Sequence, residues 1–565
     1  MEGYPDLRSH SEHLAVGSAQ TASTASQSKI VEDEQSYLLD DLATGPLISG
    51  NSGPLAVSPA DRALIAVFGS GLAVIAAGSR WSTEVKAVLD RAARSELDIT
   101  RIVESDSKLI LAIYAKHDDD GKASGMKGEI ERQRELRHLI SQAAAEDASD
   151  MHIQVHPGYC DIRIRVHGRL RNLANRSAEE GVAMVNAAFA VATDHGAETG
   201  LSSFMKGTLT KASGLLPGNI DLIRLQYSPT SGHRPSLVMR LKYSIKKGET
   251  DIAGLGYLKQ QANDISIMRR RTSGLYLLAG KVSSGKTTTL QRILNAMIRE
   301  KSFEISAFSI EEPVELDIAG AVHVAVVPRA GQSRRQAFAE AVKSTLRSDP
   351  NVIVLGELRD EELAGNAIEL AMTGHALWST VHSGSALGIL DRLNDLGVAP
   401  WKLAEPSVVK GLVYQRLIGT LCPQCKVSFG KGAAQGLVAR SLSREVTRLT
   451  GRSPDQMFLR GPGCSNCSSG LGGRTVVAET VLPDPILLGH YVSGRRTAMR
   501  EYWLRPAEQD GMGGIPVMHH AMIKVGSGTC DINEVEEEVD LVSNYTRDYP
   551  IHAKRLASDL KRHLA

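Results

Sequence analysis

The chain has 565 residues, a formal net charge of +1 and an aromatic content of 4%. A chain of this length is expected to divide into about three or four domains, because a single hydrophobic core stops growing beyond about 250–300 residues. The near-zero net charge and the scarcity of aromatic side chains disfavour a nucleic-acid-binding protein, which needs a basic surface and stacking rings.

The amino-terminal segment, residues 1–35, is rich in Ser, Ala, Thr and Gln, which predicts a disordered tail. Met1 is followed by acidic and polar residues, so no signal peptide is indicated. The longest apolar run, Ala63–Gly78, has 16 residues, whereas a membrane-spanning helix needs about 20. We therefore expect a cytoplasmic protein that reaches a membrane only through a partner.

Residues 36–120 are predicted to form a first small α/β domain. The turn Gly69–Gly71 interrupts the apolar run and predicts two strands joined by a tight turn. An amphipathic helix is expected near Thr83–Ala93, and the apolar run Leu109–Tyr114 is expected to form a strand. The charged run His117–Lys122 then predicts a polar linker.

Residues 125–245 are predicted to form a second amino-terminal domain. Apolar side chains recur at helical spacing from Leu136 to Ala143, and Ile162–Val166 alternates apolar and charged residues as a half-buried strand does. Further strands are expected at Ile223–Gln226 and Leu237–Tyr243. The remaining limits are a linker at 246–258 and a nucleotide-binding domain at 259–565, which includes a cysteine knuckle at 420–470 and carboxy-terminal helices.

Residues Gly280–Thr287 match the phosphate-binding pattern G-x-x-x-x-G-K-[ST]. The buried-strand sequence Leu275–Ala279 precedes the pattern and an amphipathic helix follows it, so backbone N–H groups and a helix N-terminus would point at an anion. Lys286 would neutralise the β- and γ-phosphates, and the Thr287 hydroxyl would bind Mg²⁺. The pattern predicts an ATP or GTP site. The residues expected to bind the nucleotide are Gly280, Ser283, Ser284, Gly285, Lys286, Thr287 and Thr288.

Two acidic residues follow predicted strands of the same domain. Ile305–Ile310 is expected to lead into Glu311, and the buried strand Val352–Leu355 is followed by Gly356 and Glu357. Ligands of a parallel sheet bind at the carboxyl ends of its strands. Glu311 is therefore predicted to orient the attacking water, although a capping role is the alternative. Glu357, about 70 residues after the loop, is predicted to hold Mg²⁺ through water.

Two histidines flank the predicted strand Ala376–Ser379. His375 precedes this strand and His382 follows it. An isolated histidine is usually structural, but two near the carboxyl edge of the sheet would contact phosphate or position a catalytic glutamate. We therefore include both histidines in the predicted site.

Four of the six cysteines form two C-x-x-C pairs, Cys422 with Cys425 and Cys464 with Cys467, and 38 residues separate the pairs. Two such pairs usually supply four thiolates to tetrahedral Zn²⁺, and in a cytosolic chain they favour zinc over disulfides. Unliganded thiols are the alternative. Because four thiolates leave no open position for water, the predicted zinc is structural.

These motifs, in this order, resemble the secretion ATPase superfamily, and within it the assembly motors of type II secretion and type IV pili. The resemblance spans about residues 135 to 540. The nucleotide-domain segments that carry it are the phosphate loop, the acidic box Glu311–Glu315, the Walker B region Leu346–Asp360 and the histidine box Thr373–His382. The flanking segments that carry it are Ala148–Ile153, Arg163–Leu170, Gln415–Pro423, Gly463–Arg474 and Glu479.

The resemblance implies a RecA-like nucleotide domain with a zinc knuckle, preceded by two smaller α/β domains of which the second is PAS-like. It implies that Glu311 acts as the general base or orients water, that Glu357 coordinates Mg²⁺ through water, and that the two histidines support the phosphate site. Arg224 and Arg240 resemble the arginines that the second amino-terminal domain brings to the phosphates on closure. Exposed arginines on alternating strands are the alternative.

The resemblance also implies a function. The chain would form a homohexamer that hydrolyses ATP, with ATP, Mg²⁺ and Zn²⁺ as its cofactors, and would drive assembly of a type IV pilus or a type II secretion pseudopilus. It would be cytoplasmic and peripherally docked on the inner membrane through a platform protein. Pilins would be moved indirectly, and no direct contact with nucleic acid is expected.

This chain departs from the family pattern at several positions. Lys281 and Ser283 stand where the family usually has Pro and Gly, Glu312 replaces an Asp, and Asn351 stands where Asp is common. Ser283 puts a Cβ where the backbone needs a positive φ, which affects loop geometry and rate. The departures suggest a divergent branch, such as a type IVb or plasmid-encoded thin pilus.

Three alternatives remain open from the sequence. A retraction or conjugative-transfer secretion ATPase would share the nucleotide motifs but would generally lack the cysteine pairs. A nucleotide-gated scaffold with negligible turnover is compatible with the altered phosphate loop. A zinc-bearing nucleic-acid translocase is disfavoured by the near-zero net charge.

Overall fold

The structure is a computed structural model that describes residues 45–50, 55–58, 61–95, 97–193, 203–231, 234–244, 249–312, 314, 317–329, 331–467 and 469–565. The chain divides into two compact units, Met1–Glu135 and Leu136–Ala565. The predicted tail at residues 1–35 and residues 246–248 of the linker predicted at 246–258 lie outside the described residues. The predicted domain limits therefore stay predictions.

The described elements are numbered here in chain order. The strands are β1 (Ile65–Val67), β2 (Leu72–Ala76), β3 (Arg101–Ser105), β4 (Asp150–Val155), β5 (Tyr159–Val166), β6 (Arg169–Ser177), β7 (Met205–Thr210), β8 (Ile220–Thr230), β9 (Arg234–Tyr243), β10 (Gly274–Ala279), β11 (Ala307–Glu311), β12 (Ala321–Ala325), β13 (Val352–Glu357), β14 (Ala376–Val381), β15 (Val409–Leu421), β16 (Val427–Ser428), β17 (Phe458–Leu459) and β18 (Leu471–Val481). The helices are α1 (Thr83–Arg94), α2 (Ser107–Ala145), α3 (Ala178–Ala190), α4 (Lys259–Arg270), α5 (Lys286–Glu300), α6 (Arg334–Leu346), α7 (Glu361–Met372), α8 (Gly388–Asp395), α9 (Pro400–Leu403), α10 (Phe429–Ala434), α11 (Arg440–Thr450), α12 (Pro485–Val492), α13 (Arg496–Leu504), α14 (Val517–Gly526), α15 (Ile532–Glu538), α16 (Val542–Asp548) and α17 (Pro550–Leu564).

The first unit contains a three-stranded sheet of order β1-β2-β3. Strands β1 and β2 pair antiparallel, and β2 pairs parallel with β3. Gly71 has a φ of +83° in the turn between β1 and β2, and a Cβ there would lie 2.5 Å from the Asp98 carbonyl oxygen. The turn therefore requires glycine. The predicted hairpin and the predicted helix near Thr83–Ala93 are both confirmed.

The strand predicted at Leu109–Tyr114 is wrong, because these residues belong to helix α2. Ile110 and Tyr114, four residues apart, are buried on one face of the helix, whereas Leu111 is exposed. The Tyr114 hydroxyl donates to the Ile65 carbonyl oxygen at 2.7 Å. A short apolar run does not distinguish a buried strand from a buried helical face. The linker predicted at His117–Lys122 is helical as well.

A six-stranded antiparallel sheet follows, with the order β6-β5-β4-β9-β8-β7. Its strands alternate, so that one face carries buried residues such as Met151 and Ile153 on β4 and Met239 on β9. Helix α3 and the carboxy-terminal part of α2, which contributes Leu136 and Ile140, cover this face. The opposite face is left to polar and charged side chains.

A seven-stranded sheet forms the largest layer, with the order β12-β11-β13-β14-β10-β15-β18. All neighbours pair parallel except β15 and β18, which pair antiparallel. Helices pack on both faces of a parallel sheet because its strands are apolar on both sides. Strand β14 lies between β10, which precedes the phosphate loop, and β13, which ends in Glu357. The predicted α/β fold is confirmed.

The carboxy-terminal part of the chain adds a small ribbon and a group of helices. Strands β16 and β17 pair antiparallel, and the cysteine pairs lie just after β15 and just before β18. Helices α14 to α17 bury apolar side chains such as Met522, Tyr545 and Leu556 in one cluster. Within the residues that the structure describes, no helix combines the length and apolar character needed to cross a bilayer.

Candidate functional site

The phosphate loop connects β10 to α5, which begins at Lys286. Gly280 and Gly285 both have positive φ angles, +156° and +82°. The Lys286 ammonium group donates to the carbonyl oxygens of Gly280 at 2.8 Å and Lys281 at 3.0 Å. The lysine thus lies across the loop, where an anion held by the loop would meet it. Ser283 has a φ of +63°, a left-handed conformation that costs a non-glycine residue about 1 kcal/mol.

Two buried residues outside the motif hold the loop in place. The Gln415 side-chain amide on β15 donates to the Ser284 carbonyl oxygen at 2.7 Å. The Tyr257 hydroxyl in turn donates to the Gln415 side-chain oxygen at 2.6 Å. Burial raises the pKa of Tyr257, so its hydroxyl keeps the proton that it donates. Sequence reasoning assigned neither residue a role, because their distance along the chain from the loop hides the contact.

A cavity of about 450 Å³ opens beside the loop. Its wall is formed by the phosphate loop, the carboxyl ends of β11, β13 and β14, the first turns of helices α6 and α7, and the charged face of the antiparallel sheet. The charged and hydroxyl-bearing residues that line it are Arg224, Arg240, Ser283, Lys286, Thr287, Glu311, Glu312, Arg334, Arg335, Glu357, Arg359, Asp360, Glu362, Thr380 and His382. Gly280, Ser284, Gly285 and Thr288 belong to the loop and its helix without lining the cavity.

Glu311 ends β11 and is 5% exposed. Its carboxylate accepts a hydrogen bond from the Ser309 hydroxyl two residues earlier on the same strand. The neighbouring Glu312 accepts from the Arg334 guanidinium at the start of α6. Arg334 was not predicted, and only the fold brings its helix to this edge of the sheet. Pro313 and Glu315 of the predicted acidic box lie outside the described residues.

Glu357 ends β13 and lines the cavity. The Arg359 Nε atom donates to one of its oxygens at 2.7 Å. His382 Nε2 lies 2.5 Å from the other oxygen, although the contact does not have hydrogen-bonding geometry. Asp360 accepts from the Leu363 backbone N–H at 3.0 Å and so caps α7. The segment after β13 therefore fixes both the carboxylate and the helix that follows.

The two predicted histidines lie at opposite ends of β14. His382 follows the carboxyl end of the strand and reaches the cavity. His375 precedes the amino end, roughly 20 Å away along the strand, and its Nδ1 atom lies 3.0 Å from the Thr373 hydroxyl. The expectation that both histidines lie at the carboxyl edge is wrong for His375, because β14 begins at Ala376.

Arg224 and Arg240 line the cavity from the antiparallel sheet. They are direct cross-strand neighbours on β8 and β9. Both lie on the face opposite the buried core of their sheet, since the flanking residues Ile223 and Met239 are buried. A guanidinium pair facing a phosphate loop is suited to bind the terminal phosphate of a nucleotide.

The four paired cysteines lie together. The sulfur atoms of Cys422, Cys425, Cys464 and Cys467 are all within 4.8 Å of one another. Three of the separations are 3.8, 3.5 and 3.6 Å. Four sulfurs on a tetrahedral zinc ion at about 2.3 Å would be about 3.8 Å apart. The residues therefore fit a structural zinc ion, and the cysteines are positioned to bind a metal.

Backbone N–H groups and burial act in opposite directions on two of these thiols. The N–H groups of Gln424 and Cys425 lower the pKa of Cys422 to about 7. Burial raises the pKa of Cys425 to about 12. Metal binding requires thiolates, so a bound cation would also displace the proton of the Cys425 thiol.

The family model for type II/IV secretion system proteins matches residues 126–535. The chain belongs to this family. The match confirms the resemblance to the secretion ATPase superfamily that the sequence motifs indicate. It covers the antiparallel sheet, the phosphate loop, the acidic strand ends and the cysteine pairs in one continuous stretch.

Several curated members of the type II/IV secretion system family are similar to the chain. The type II secretion system ATPase E of Vibrio cholerae is 32% identical over 355 residues, which is 62% of this chain and 65% of that protein. The type II secretion system protein HxcR of Pseudomonas aeruginosa is 28% identical over 490 residues, covering 81% of this chain and 95% of that one. The chain thus spans just under two thirds of the length of the Vibrio relative.

Two solved structures are also similar to the chain. The ATPase DotB of Legionella pneumophila has a TM-score of 0.45 and 18% identity, covering 71% of this chain and 93% of that one. The pilus retraction motor PilT with bound ADP has a TM-score of 0.45 and 17% identity, covering 73% of this chain and 98% of that one.

Proposed function

We propose that this chain is an ATP hydrolase that works as a secretion or pilus assembly motor. One observation carries the proposal: two arginines of one sheet line the same cavity as the phosphate-loop lysine and the acidic strand ends of another sheet. Such a cavity can bind a nucleoside triphosphate between the two sheets, so that nucleotide binding and the relative position of the sheets become linked.

The phosphate loop would bind the substrate. The backbone N–H groups after Gly280 and the ammonium of Lys286 hold the β- and γ-phosphates, and the Thr287 hydroxyl holds Mg²⁺. Mg²⁺, when bound, neutralises charge on the phosphate oxygens. Gly285, Ser284 and Thr288 supply the turn and the first helical residues that keep these groups aimed at the anion.

The acidic strand ends and the arginines would act on the reaction itself. Glu311 orients the attacking water and accepts its proton, and Glu357 holds Mg²⁺ through water. His382 keeps the Glu357 carboxylate in place. Arg224 and Arg240 stabilise the charge that develops on the transferred phosphoryl group. His375, which was predicted to support the phosphate site, lies at the opposite end of β14 and is left out of this proposal.

As a motor, the chain would also need partners. A homohexameric ring would convert closing and opening at the arginine-lined cavity into motion of an inner-membrane platform protein, which would add pilin subunits to a growing pilus or pseudopilus. The relatives named as type II secretion proteins support this class of work. The chain would act at the cytoplasmic side of the inner membrane.

The four cysteines would hold one Zn²⁺ ion that stabilises the segment between β15 and β18. Four thiolates leave no coordination position for water, so the metal has no part in hydrolysis. Metal analysis of the purified chain should give one zinc per chain. Cys464→Ser should lower that content and the stability of this segment together, whereas Cys160→Ser, in the core of the antiparallel sheet, should leave the zinc content unchanged.

Turnover of purified wild type beside Lys286→Ala and Glu311→Gln tests the proposal, with the oligomer sized with and without a non-hydrolysable ATP analogue. We expect a hexamer whose ATPase activity falls at least about 10²-fold in both variants. A zinc-loaded wild-type hexamer without turnover, alone and with the platform protein's cytoplasmic domain, would contradict it.

A nucleotide-gated scaffold is the second candidate. One observation favours it: both Glu357 oxygens already face side chains of the same subunit, Arg359 and His382, which leaves fewer acceptor positions on the carboxylate for a water molecule bound to a metal. Nucleotide-dependent assembly of the ring without turnover would select this candidate. A retraction or conjugative-transfer motor would instead require the cysteine pairs to be dispensable for ring function.

A further inference from the structure

A row of charged side chains crosses the antiparallel sheet at the height of the cavity. Asp150 on β4 is the direct neighbour of Arg165 on β5 and of Arg240 on β9. Arg240 in turn neighbours Arg224 on β8. Four adjacent strands therefore carry the sequence cation, carboxylate, cation, cation on one face, and the last two cations line the cavity.

Asp150 is the carboxylate of this row, and it is only 3% exposed. One of its oxygens accepts from Arg240 Nε at 2.9 Å. The other accepts from the Ser149 hydroxyl at 2.8 Å and lies 3.8 Å from Arg165 Nε. A buried carboxylate with three such partners has little freedom to turn.

The contact uses a particular part of the Arg240 guanidinium. The Nε–H group points at Asp150, which leaves the terminal amino groups for an anion in the cavity. Arg240 is half exposed on the cavity side, so without the carboxylate its long side chain would sample several rotamers. A guanidinium fixed in advance loses less entropy on binding a phosphate than a free one.

We propose that Asp150 is a positioning residue that aims the Arg240 guanidinium at the terminal phosphate of the bound nucleotide. This inference rests on the proposed function, because it assigns the cavity to a nucleoside triphosphate. Asp150 does not touch the substrate. It acts through Arg240, and the same contact anchors the arginine to strand β4 when the cavity is empty.

The contact predicts a difference between arginine and lysine at position 240. A guanidinium can bond Asp150 through Nε and a phosphate through its terminal groups at the same time. A lysine ammonium is a single point and cannot span both. Charge alone would therefore not be sufficient at this position.

The test measures how strongly the purified full chain prefers a non-hydrolysable fluorescent ATP analogue over fluorescent ADP. We expect Asp150→Asn and Arg240→Gln each to lower this preference by roughly 10-fold, because only the analogue carries the terminal phosphate. Asp150→Glu should recover part of the loss, since it keeps the charge. Asp161→Asn, which removes a carboxylate from β5 that lies outside the cavity lining, is the matched control and should stay within about 2-fold of wild type.

A double variant separates positioning from general support of the sheet. If Asp150 acts through Arg240, Asp150→Asn should change the preference less than about 2-fold once Arg240 is Gln. Multiplying effects in the double variant, or a wild-type preference in Asp150→Asn, would overturn the inference.

Arg240→Lys keeps the test decisive if the Asp150 variants do not fold. It should lose most of the preference, and a wild-type preference would overturn the inference. Because the readout is binding, it also separates this inference from the proposed hydrolysis. A chain that prefers the analogue through Asp150 and Arg240 but has no turnover would contradict the hydrolase and support the positioning role.

Discussion

The two sheets that border the cavity present their functional groups in different ways. The parallel sheet offers Glu311, Glu357 and His382 just at the carboxyl ends of its strands, where the chain turns into loops. The antiparallel sheet offers Arg224 and Arg240 from the middle of its strands, on the face that its core leaves open. Strand ends are fixed by topology, whereas strand faces depend on register.

The difference has a consequence for rigidity. Groups at the ends of parallel strands are held by the sheet and by the helices that follow, as when Asp360 caps α7 directly after Glu357. Groups on an exposed strand face are long side chains that need a neighbour to hold them. In the antiparallel sheet that neighbour is Asp150. The site in the parallel sheet should therefore be most sensitive to substitutions that change the chemistry of a side chain. The site in the antiparallel sheet should be most sensitive to shifts of strand register.

The largest effect is expected at the end of β13. Glu357→Gln removes the charge that would hold Mg²⁺ and should lower kcat by about 10²-fold or more, with ATP affinity nearly unchanged. Steady-state kinetics and nucleotide titration measure the two quantities. Glu362→Gln, which changes a cavity-lining carboxylate on α7, is the comparison. Equal losses of kcat in the two variants would contradict the specific role assigned to the carboxylate at the end of the strand.

The two ends of β14 allow a sharper comparison. His382→Ala should lower kcat by about 10-fold, because it frees the Glu357 carboxylate from the neighbour 2.5 Å away. His375→Ala should change kcat less than about 2-fold, because His375 lies at the opposite edge of the sheet. The ATPase rates of the two variants, measured side by side, check this. A larger fall in kcat for His375→Ala would show that the position of a histidine at the carboxyl end of β14 does not decide its effect on turnover.

These residues also show what the sequence could and could not predict. The phosphate loop, Glu311 and Glu357 follow apolar strand segments, so their placement at one sheet edge was predictable from the chain order alone. His375 was misplaced because a short apolar strand between two histidines does not indicate its direction. Gln415 and Asp150 were not assigned a role, since each acts through a contact that only the pairing of distant strands creates. Leu109–Tyr114 was mistaken because buried helices and strands have the same apolar composition over six residues.

A smaller effect is expected behind the parallel sheet, where helices α14 and α17 bury three histidines. Burial lowers the pKa values of His519 and His520, and it lowers the pKa of His552 to about 3. The unfolded chain takes up protons near the ordinary value of about 6.5, and the folded chain does not. Stability should be complete above pH 6.5 and fall as the pH drops below it, and His552 alone should contribute a loss of about 1.4 kcal/mol per pH unit until its folded pKa is reached.

Buried carboxylates oppose this trend. Burial raises the pKa values of Glu479 and Glu534, so they favour the folded state as the pH falls toward their ordinary range. The histidine contribution is isolated by His552→Gln, whose melting temperature should fall less than that of wild type between pH 7 and pH 5. Identical pH profiles would contradict the assignment to His552. Thermal melts at several pH values, followed by circular dichroism, provide the measurement.

The smallest effect is expected at Ser283. Ser283→Gly removes the strain of a left-handed serine but makes the unfolded chain more flexible, so the two effects largely cancel. The free energy of unfolding should change by less than about 1 kcal/mol, and ATP affinity by less than about 3-fold. Thermal melts and nucleotide titration of the variant check both values. A large gain in turnover would instead show that the serine limits the loop during catalysis.

The central question is whether the antiparallel sheet belongs to the active site. The measurement is steady-state ATPase turnover of the Arg224→Gln/Arg240→Gln double variant beside wild type, at saturating ATP and equal ring content. We expect a fall in kcat of at least about 10²-fold, because the variant lacks two positive charges that would stabilise the transition state. Unchanged turnover in a correctly assembled variant would contradict it and would confine catalysis to the parallel sheet.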